Sequence, residues 1–137
     1  MQGINEYLYK YGLHDCIINN ISCEKNQVTF AFNSGVYNLD LSGKEISLTS
    51  ACKLIIEIDS QGLNNVCNYV ITRKIMKNKC LEVALNDLIN MINDFYFEVE
   101  INYYSHFNDT LLIKGSIKNE FYEITISNVN KIQFMIN

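Results

Sequence analysis

Proline and tryptophan are both absent from the 137 residues, and no tract of the chain is repeated or low in complexity. Nothing therefore marks a linker, and a chain of this length is expected to form one domain, residues 1–137. At this size a compact fold buries roughly two thirds of the surface exposed by the unfolded chain, so metals and disulfides are not needed for stability. The five cysteines (Cys16, Cys23, Cys52, Cys67 and Cys80) are odd in number and widely spaced, with no CxxC pair. That spacing excludes the usual zinc and thioredoxin-type sites and points to reduced, mostly buried thiols. No apolar stretch approaches the roughly 20 residues that span a bilayer. The opening "MQGINEYLYKYG" also lacks the basic start and apolar run of a signal peptide. A cytoplasmic protein with no membrane partner is expected.

Positive charge is scarce: 11 Lys and Arg face 15 Asp and Glu, a net charge of -4. A general nucleic-acid binder needs a basic face to release counterions from phosphates, so that class is excluded. The one basic cluster, Arg73, Lys74, Lys77 and Lys79, falls in a predicted connection and reads as a solvated loop. Catalytic equipment is missing too. There is no GxSxG elbow, no HExxH helix and no glycine-rich loop between a strand and a helix. No cofactor, metal or enzymatic activity is expected.

Only two histidines are present. His14 and Asp15 are neighbours where a helix hands over to a strand. On a strand such neighbours point to opposite faces, so the two are not expected to bond to each other. They read as a structural corner, in which a short polar side chain satisfies backbone donors. His106 sits in a hairpin loop with Asp109 nearby. The spacing of His14, Asp15, His106 and Asp109 gives no support to a shared metal site.

What the chain has in quantity is periodicity. Ile4, Tyr7, Leu8 and Tyr11 recur at helical spacing, with Gly12 as the expected helix stop. Residues 16–23 read as a first strand, with a bulge near Asn19-Asn20 that keeps Cys16, Ile18, Ile21 and Cys23 on one face. Val28, Phe30 and Phe32 alternate, as do Tyr37, Leu39 and Leu41 after a turn at "NSG". A long strand is expected from Ile46 to Ile58, with Leu54, Ile56 and Ile58 inward. After a loop at "SQGLNN", Cys67, Tyr69, Ile71 and Ile75 share a face. The period then becomes helical. Leu81, Ala84, Leu85, Leu88, Ile89 and Ile92 form an apolar stripe opposite Glu82, Asn86, Asn90 and Asn93, which predicts one amphipathic helix near 81–93.

The period returns to two in "FYFEVEINYY". Phe95, Phe97, Val99, Ile101 and Tyr103 are expected inward, and Tyr96, Glu98, Glu100, Asn102 and Tyr104 outward. Strands at "LLIKGSI", "YEITIS" and "KIQFMI" follow. The expected fold is mainly β (α+β): an antiparallel sandwich or partly open barrel of about nine strands, with neighbours pairing in sequence. The outward face of the strand after the helix is the candidate binding surface. Aromatic anchors in a charged surround suit a protein interface, and Tyr96, Glu98, Glu100, Tyr104 and His106 are its candidate contacts.

Two stretches also resemble a known group. "GLHDCIINNISCEKNQVTFAF" is similar to the start of small bacterial β-meander proteins: a short helix, then a Leu-His-Asp corner, Leu13-His14-Asp15 here. "LEVALNDLINMINDFYFEVEINYYSHFNDTLLIKGSI" resembles their later order of helix, strand and strand. Some members resemble immunity proteins of polymorphic or contact-dependent toxin systems. The resemblance implies a cytosolic protein that occludes a protein partner such as a basic toxin domain, with no catalytic role for the corner. Two readings stand beside it. One is a small-molecule-binding domain or unrecognised enzyme with a pocket near His14 or His106. The other is a protein that self-associates along an exposed edge strand.

Overall fold

Where apolar residues alternate, one face of a strand can be buried while the other stays wet. Thirteen strands are formed among residues 3–58, 69–76 and 79–137, the part of the chain described by the computed structural model. Six of them make the larger sheet, in the order β2 (Ile17–Ile18), β10 (Phe97–Ser105), β11 (Thr110–Ile117), β12 (Glu120–Ile126), β8 (Tyr69–Met76) and β9 (Lys79–Glu82). Four make the second, in the order β13 (Val129–Ile136), β7 (Cys52–Ile58), β4 (Gln27–Phe32) and β3 (Asn20–Glu24). A small third sheet orders β1 (Tyr11–Gly12), β5 (Tyr37–Leu39) and β6 (Glu45–Leu48). All the pairings are antiparallel. None of these sheets closes into a barrel, and the inner faces of the two larger ones meet in one core, so the architecture is a β-sandwich.

Several expected elements are divided or displaced, each for a local reason. The predicted first strand is shared between the two larger sheets. Asn19 leaves the ladder, donating its N–H to the Ala31 carbonyl and accepting the Asn33 N–H on its side-chain oxygen, both at 2.8 Å. This crossover lets Ile18 and Ile21 enter the same core from different sheets, while Cys23 ends up exposed. The long strand expected over 46–58 is likewise two strands, β6 and β7, in different sheets. Val36 bonds Thr49 twice, through its N–H to the Thr49 hydroxyl (3.0 Å) and its carbonyl to the Thr49 N–H (2.8 Å). That contact ends β6. It also brings Gly35 (φ 79°) so close that an added Cβ would lie 2.2 Å from the Thr49 carbonyl oxygen. Sequential pairing also fails at the chain's end, where β13 leaves β12 through Asn128 (φ 58°) and pairs with β7. Leu41, expected beside Tyr37 and Leu39, is fully exposed in the turn after β5.

The leading segment docks as expected through Tyr7, with Ile4 and Leu8 against the core, but its turn, Glu6–Lys10, is π-helical. Gly12 does not stop it. Tyr11 and Gly12 are already strand β1, where an added Cβ would meet Leu39 at 3.0 Å. The amphipathic helix, α1, spans Leu85–Phe95 rather than 81–93, and it buries Leu88 and Ile92. Leu81 belongs to β9 and is 52% exposed. Its spacing fits the stripe, but Ala84 is extended (ψ 142°) and the helix begins only after it.

Cys16 and Cys52 are buried, whereas Cys80, like Cys23, is exposed, so half of the described thiols depart from the expected burial. The basic cluster is not a loop: Arg73 and Lys74 lie in β8 and Lys79 in β9. Cys67, the "SQGLNN" segment and Lys77 lie outside the described residues, as do the side chains of Tyr69, Ile71, Lys74, Ile75 and Lys79.

Candidate binding face

The outer face of the six-stranded sheet takes its character from an irregularity in β10. Val99 pairs with Gly115, but Ile101 pairs with the very next residue, Lys114, so Glu100 is an extra residue in β10. A bulge of this kind reverses the alternation beyond it. Before it, Phe97 and Val99 are buried and Glu98 is exposed, as expected. After it, Ile101 and Tyr103 turn outward, 51% and 59% exposed, and Tyr104 turns inward to 8%.

Register then sets out the face row by row. Glu98, Ser116 and Phe121 stand side by side on β10, β11 and β12. Ile101, Lys114, Glu123, Thr72 and Glu82 form the next row, across β10, β11, β12, β8 and β9. Tyr103, Leu112 and Thr125 begin a third. Ile101, Tyr103 and Phe121 thus stand among four carboxylates: Glu82, Glu98, Glu100 and Glu123. Among the described side chains the cation on these rows is Lys114, whose Nζ is 3.9 Å from Glu123 Oε2. Neither Glu98 nor Glu100 has an ion-pair partner among the described residues. Between the rows lies a hollow of about 340 Å³, lined by Thr72, Cys80, Glu100, Lys114, Phe121 and Glu123 and floored by Gly115 and Tyr122.

Of the five contacts expected from sequence, Glu98 and Glu100 lie on this face. Tyr96 stands exposed at the head of β10, and His106 is exposed beyond its far end. Tyr104 is the correction. It faces inward, its hydroxyl donates to Asp109 Oδ1, and its ring meets the His106 ring edge-on at 4.9 Å. The Asp109 carboxylate and burial together push the Tyr104 hydroxyl up to about 12. Ile101, Tyr103, Phe121 and Glu123 are the residues that sequence reasoning missed. The adjacent tyrosines of "NYY" hold the only hint, because either one fits an inward register.

No protein-family model matches the chain, and no curated protein or solved structure matches it either.

The remaining candidates are placed by local geometry. Asp15 adopts a left-handed conformation (φ 63°), so the strand rule for neighbours does not apply. Contrary to expectation, His14 Nδ1 lies 3.1 Å from Asp15 Oδ2, in a pair that is 59% exposed on both sides. Such an exposed pair contributes little stability. The corner is tied through backbone instead, by Asp15 N–H to the Val99 carbonyl (2.8 Å) and Val99 N–H to the Cys16 carbonyl (2.9 Å). Three hollows stand out among the described residues, and neither histidine lines any of them. No group of three or more His, Cys, Asp or Glu among those residues is placed to hold a metal. No helix among them is long and apolar enough to cross a membrane.

On the inner side of the same sheet, Arg73 Nε approaches Glu120 Oε2 at 3.4 Å without hydrogen-bond geometry. The Tyr122 hydroxyl donates to that carboxylate at 3.1 Å, and burial raises its pKa.

Proposed function

We propose that the chain is a cytosolic protein-binding domain that acts by stoichiometric occlusion of a partner. This is the mode implied by the resemblance to small bacterial β-meander proteins, some of which are like immunity proteins, and it involves no catalysis. The observation that carries the reading is the outer face of the six-stranded sheet. There Ile101, Tyr103 and Phe121 are all about half exposed, among Glu82, Glu98, Glu100 and Glu123. Exposed aromatics that fill a partner's pockets supply most of an interface's energy, and an acidic surround sets the encounter rate. The charge favours a basic partner such as a nuclease toxin domain, drawn in by long-range attraction. What weighs against a small-molecule or enzymatic site near His14 or His106 is that both side chains stand away from the described hollows.

The test is affinity capture from the native cells with three baits. These are the wild-type chain, the doubly reversed Glu98→Lys/Glu100→Lys variant, and a Lys53→Glu control on the opposite sheet. The wild type and the control should recover one stoichiometric protein that the reversed bait loses. With that protein in hand, the reversed variant should associate about tenfold more slowly at low salt, a difference that shrinks as salt rises. An unchanged association rate overturns the assignment of this face.

A further inference from the structure

We propose that the hollow on this face receives a single cationic side chain of the partner, an arginine in preference to a lysine. The inference rests on the reading of the face as a binding surface and names what enters it.

Size is the first argument. At about 340 Å³ the hollow lies at the lower end of the 300–1,000 Å³ occupied by small-molecule sites, enough for one long side chain. Shape is the second. Gly115 offers only backbone to the floor, and Tyr122 turns its side chain into the core, so the base is a strip of open sheet. The 52%-exposed Phe121 ring stands at one wall, and Glu100 is placed at the hollow by its position as the bulge residue.

Charge decides the occupant. Glu123 is partly neutralised by Lys114, while Glu100 has no cation beside it among the described residues. An anion entering here meets two carboxylates against the single ammonium of Lys114 among the described side chains, and a purely apolar group leaves Glu100 and Thr72 facing it without a partner. A guanidinium satisfies both walls: its fork matches a carboxylate, and its flat face packs against an aromatic ring. A lysine ammonium is a compact, strongly hydrated charge without that plane, which gives arginine the preference. Lys114 repels any cation on the Glu123 side and so directs the newcomer toward Glu100.

The probe is N-acetyl-arginine amide, titrated into the full-length, isotope-labelled chain and followed by amide chemical shifts. The lysine and glutamate analogues are run in parallel. The arginine compound should shift the amides of Glu100, Lys114, Gly115, Phe121 and Glu123 in a saturable way. The lysine analogue should do so more weakly, and the glutamate analogue not at all. Glu100→Gln and Phe121→Leu should each weaken the effect about tenfold while distant amides stay in place. Silence at the hollow, or an equal response to the glutamate analogue, overturns the inference. If the hollow is silent but the reversed-face variant still loses its captured partner, the face binds and only the arginine site falls. If arginine binds but the reversed face captures normally, the partner clause falls, and the hollow is a site for a free guanidinium compound.

Discussion

Tyr7 offers a test of the core that the fold alone does not supply. Its ring stacks on Phe134 at 6.4 Å with only 1% of the residue exposed, yet among the described residues its hydroxyl finds no partner in good hydrogen-bond geometry. Asn102 is near enough to lower the hydroxyl's pKa somewhat. Burial dominates and pushes it from its ordinary 10 up to about 12. Tyr7→Phe keeps the ring and deletes the orphan. Since an unsatisfied buried polar group costs about 1–3 kcal/mol, the variant should be more stable at pH 7 by about 1 kcal/mol.

The alkaline behaviour follows with a definite sign. Below pH 10 Tyr7 is neutral in both states. Between 10 and 12 the unfolded chain ionises while the folded one keeps its proton, so rising pH favours unfolding. A rise from 10 to about 12 corresponds to roughly 3 kcal/mol, lost by the wild type across that window and not by Tyr7→Phe. Urea denaturation of both proteins at pH 7 and at steps from 10 to 12 isolates this difference, because Tyr104 and Tyr122 are common to both. A variant that is less stable at pH 7 by 1 kcal/mol or more would mean that the hydroxyl is bonded to Asn102. A difference that stays flat across the alkaline window would refute the burial argument.

Two further perturbations test the frame of the candidate face. A Cβ at Gly115 would lie 2.1 Å from the Glu98 carbonyl oxygen and 2.4 Å from Phe97 Cε1, so Gly115→Ala must displace backbone. A cost of about 2–3 kcal/mol is expected, seen as a Tm lower by roughly 5–10 °C, and an unchanged melt refutes the close approach. Tyr96 caps α1 through its N–H to the Ile92 carbonyl at 2.9 Å, in a conformation (φ 64°, ψ 154°) that glycine alone adopts without strain. Tyr96→Gly should therefore raise stability by about 1 kcal/mol after glycine's own entropy cost, while weakening capture of the partner. Loss of stability in denaturant would contradict the strain.

Inward positions were legible wherever one register ran unbroken. Val28, Phe30 and Phe32, or Leu54, Ile56 and Ile58, alternate through single strands that stay in one sheet, and all are buried. The failures fall where backbone bonding between distant residues, invisible in a linear pattern, overrides the period. Asn19 leaves its strand because Ala31 and Asn33 offer it partners in the other sheet. Thr49 ends β6 because Val36 holds it. Leu81 matches a helical stripe by spacing alone, and the extended backbone at Ala84 breaks the helix before reaching it. For the candidate face, Glu98 and Glu100 were legible because exposed carboxylates need no register to be placed outside. Tyr104 was not, because one inserted residue inverts every position after it.

That inversion bears on why the face has its character. Had β10 run without a bulge, Ile101 and Tyr103 would have followed Phe97 and Val99 into the core, and Asn102 and Tyr104 would have stood on the surface. The outer face of β10 would then carry Tyr104 as its aromatic, without Ile101 or Tyr103 beside the carboxylates. With Glu100 as the extra residue, the strand keeps both acids outside and adds Ile101 and Tyr103 beside them, next to Phe121 two strands away. The inward positions are filled instead by Asn102, only partly buried, and by Tyr104, which needs Asp109 to satisfy its hydroxyl. These are poorer core residues than the pair displaced. A local departure that moves good core side chains to the surface and draws polar ones inward costs packing, and such departures concentrate where a surface has work to do. Together with the strained Tyr96 at the other end of the same strand, it makes β10 the element on which the binding reading turns.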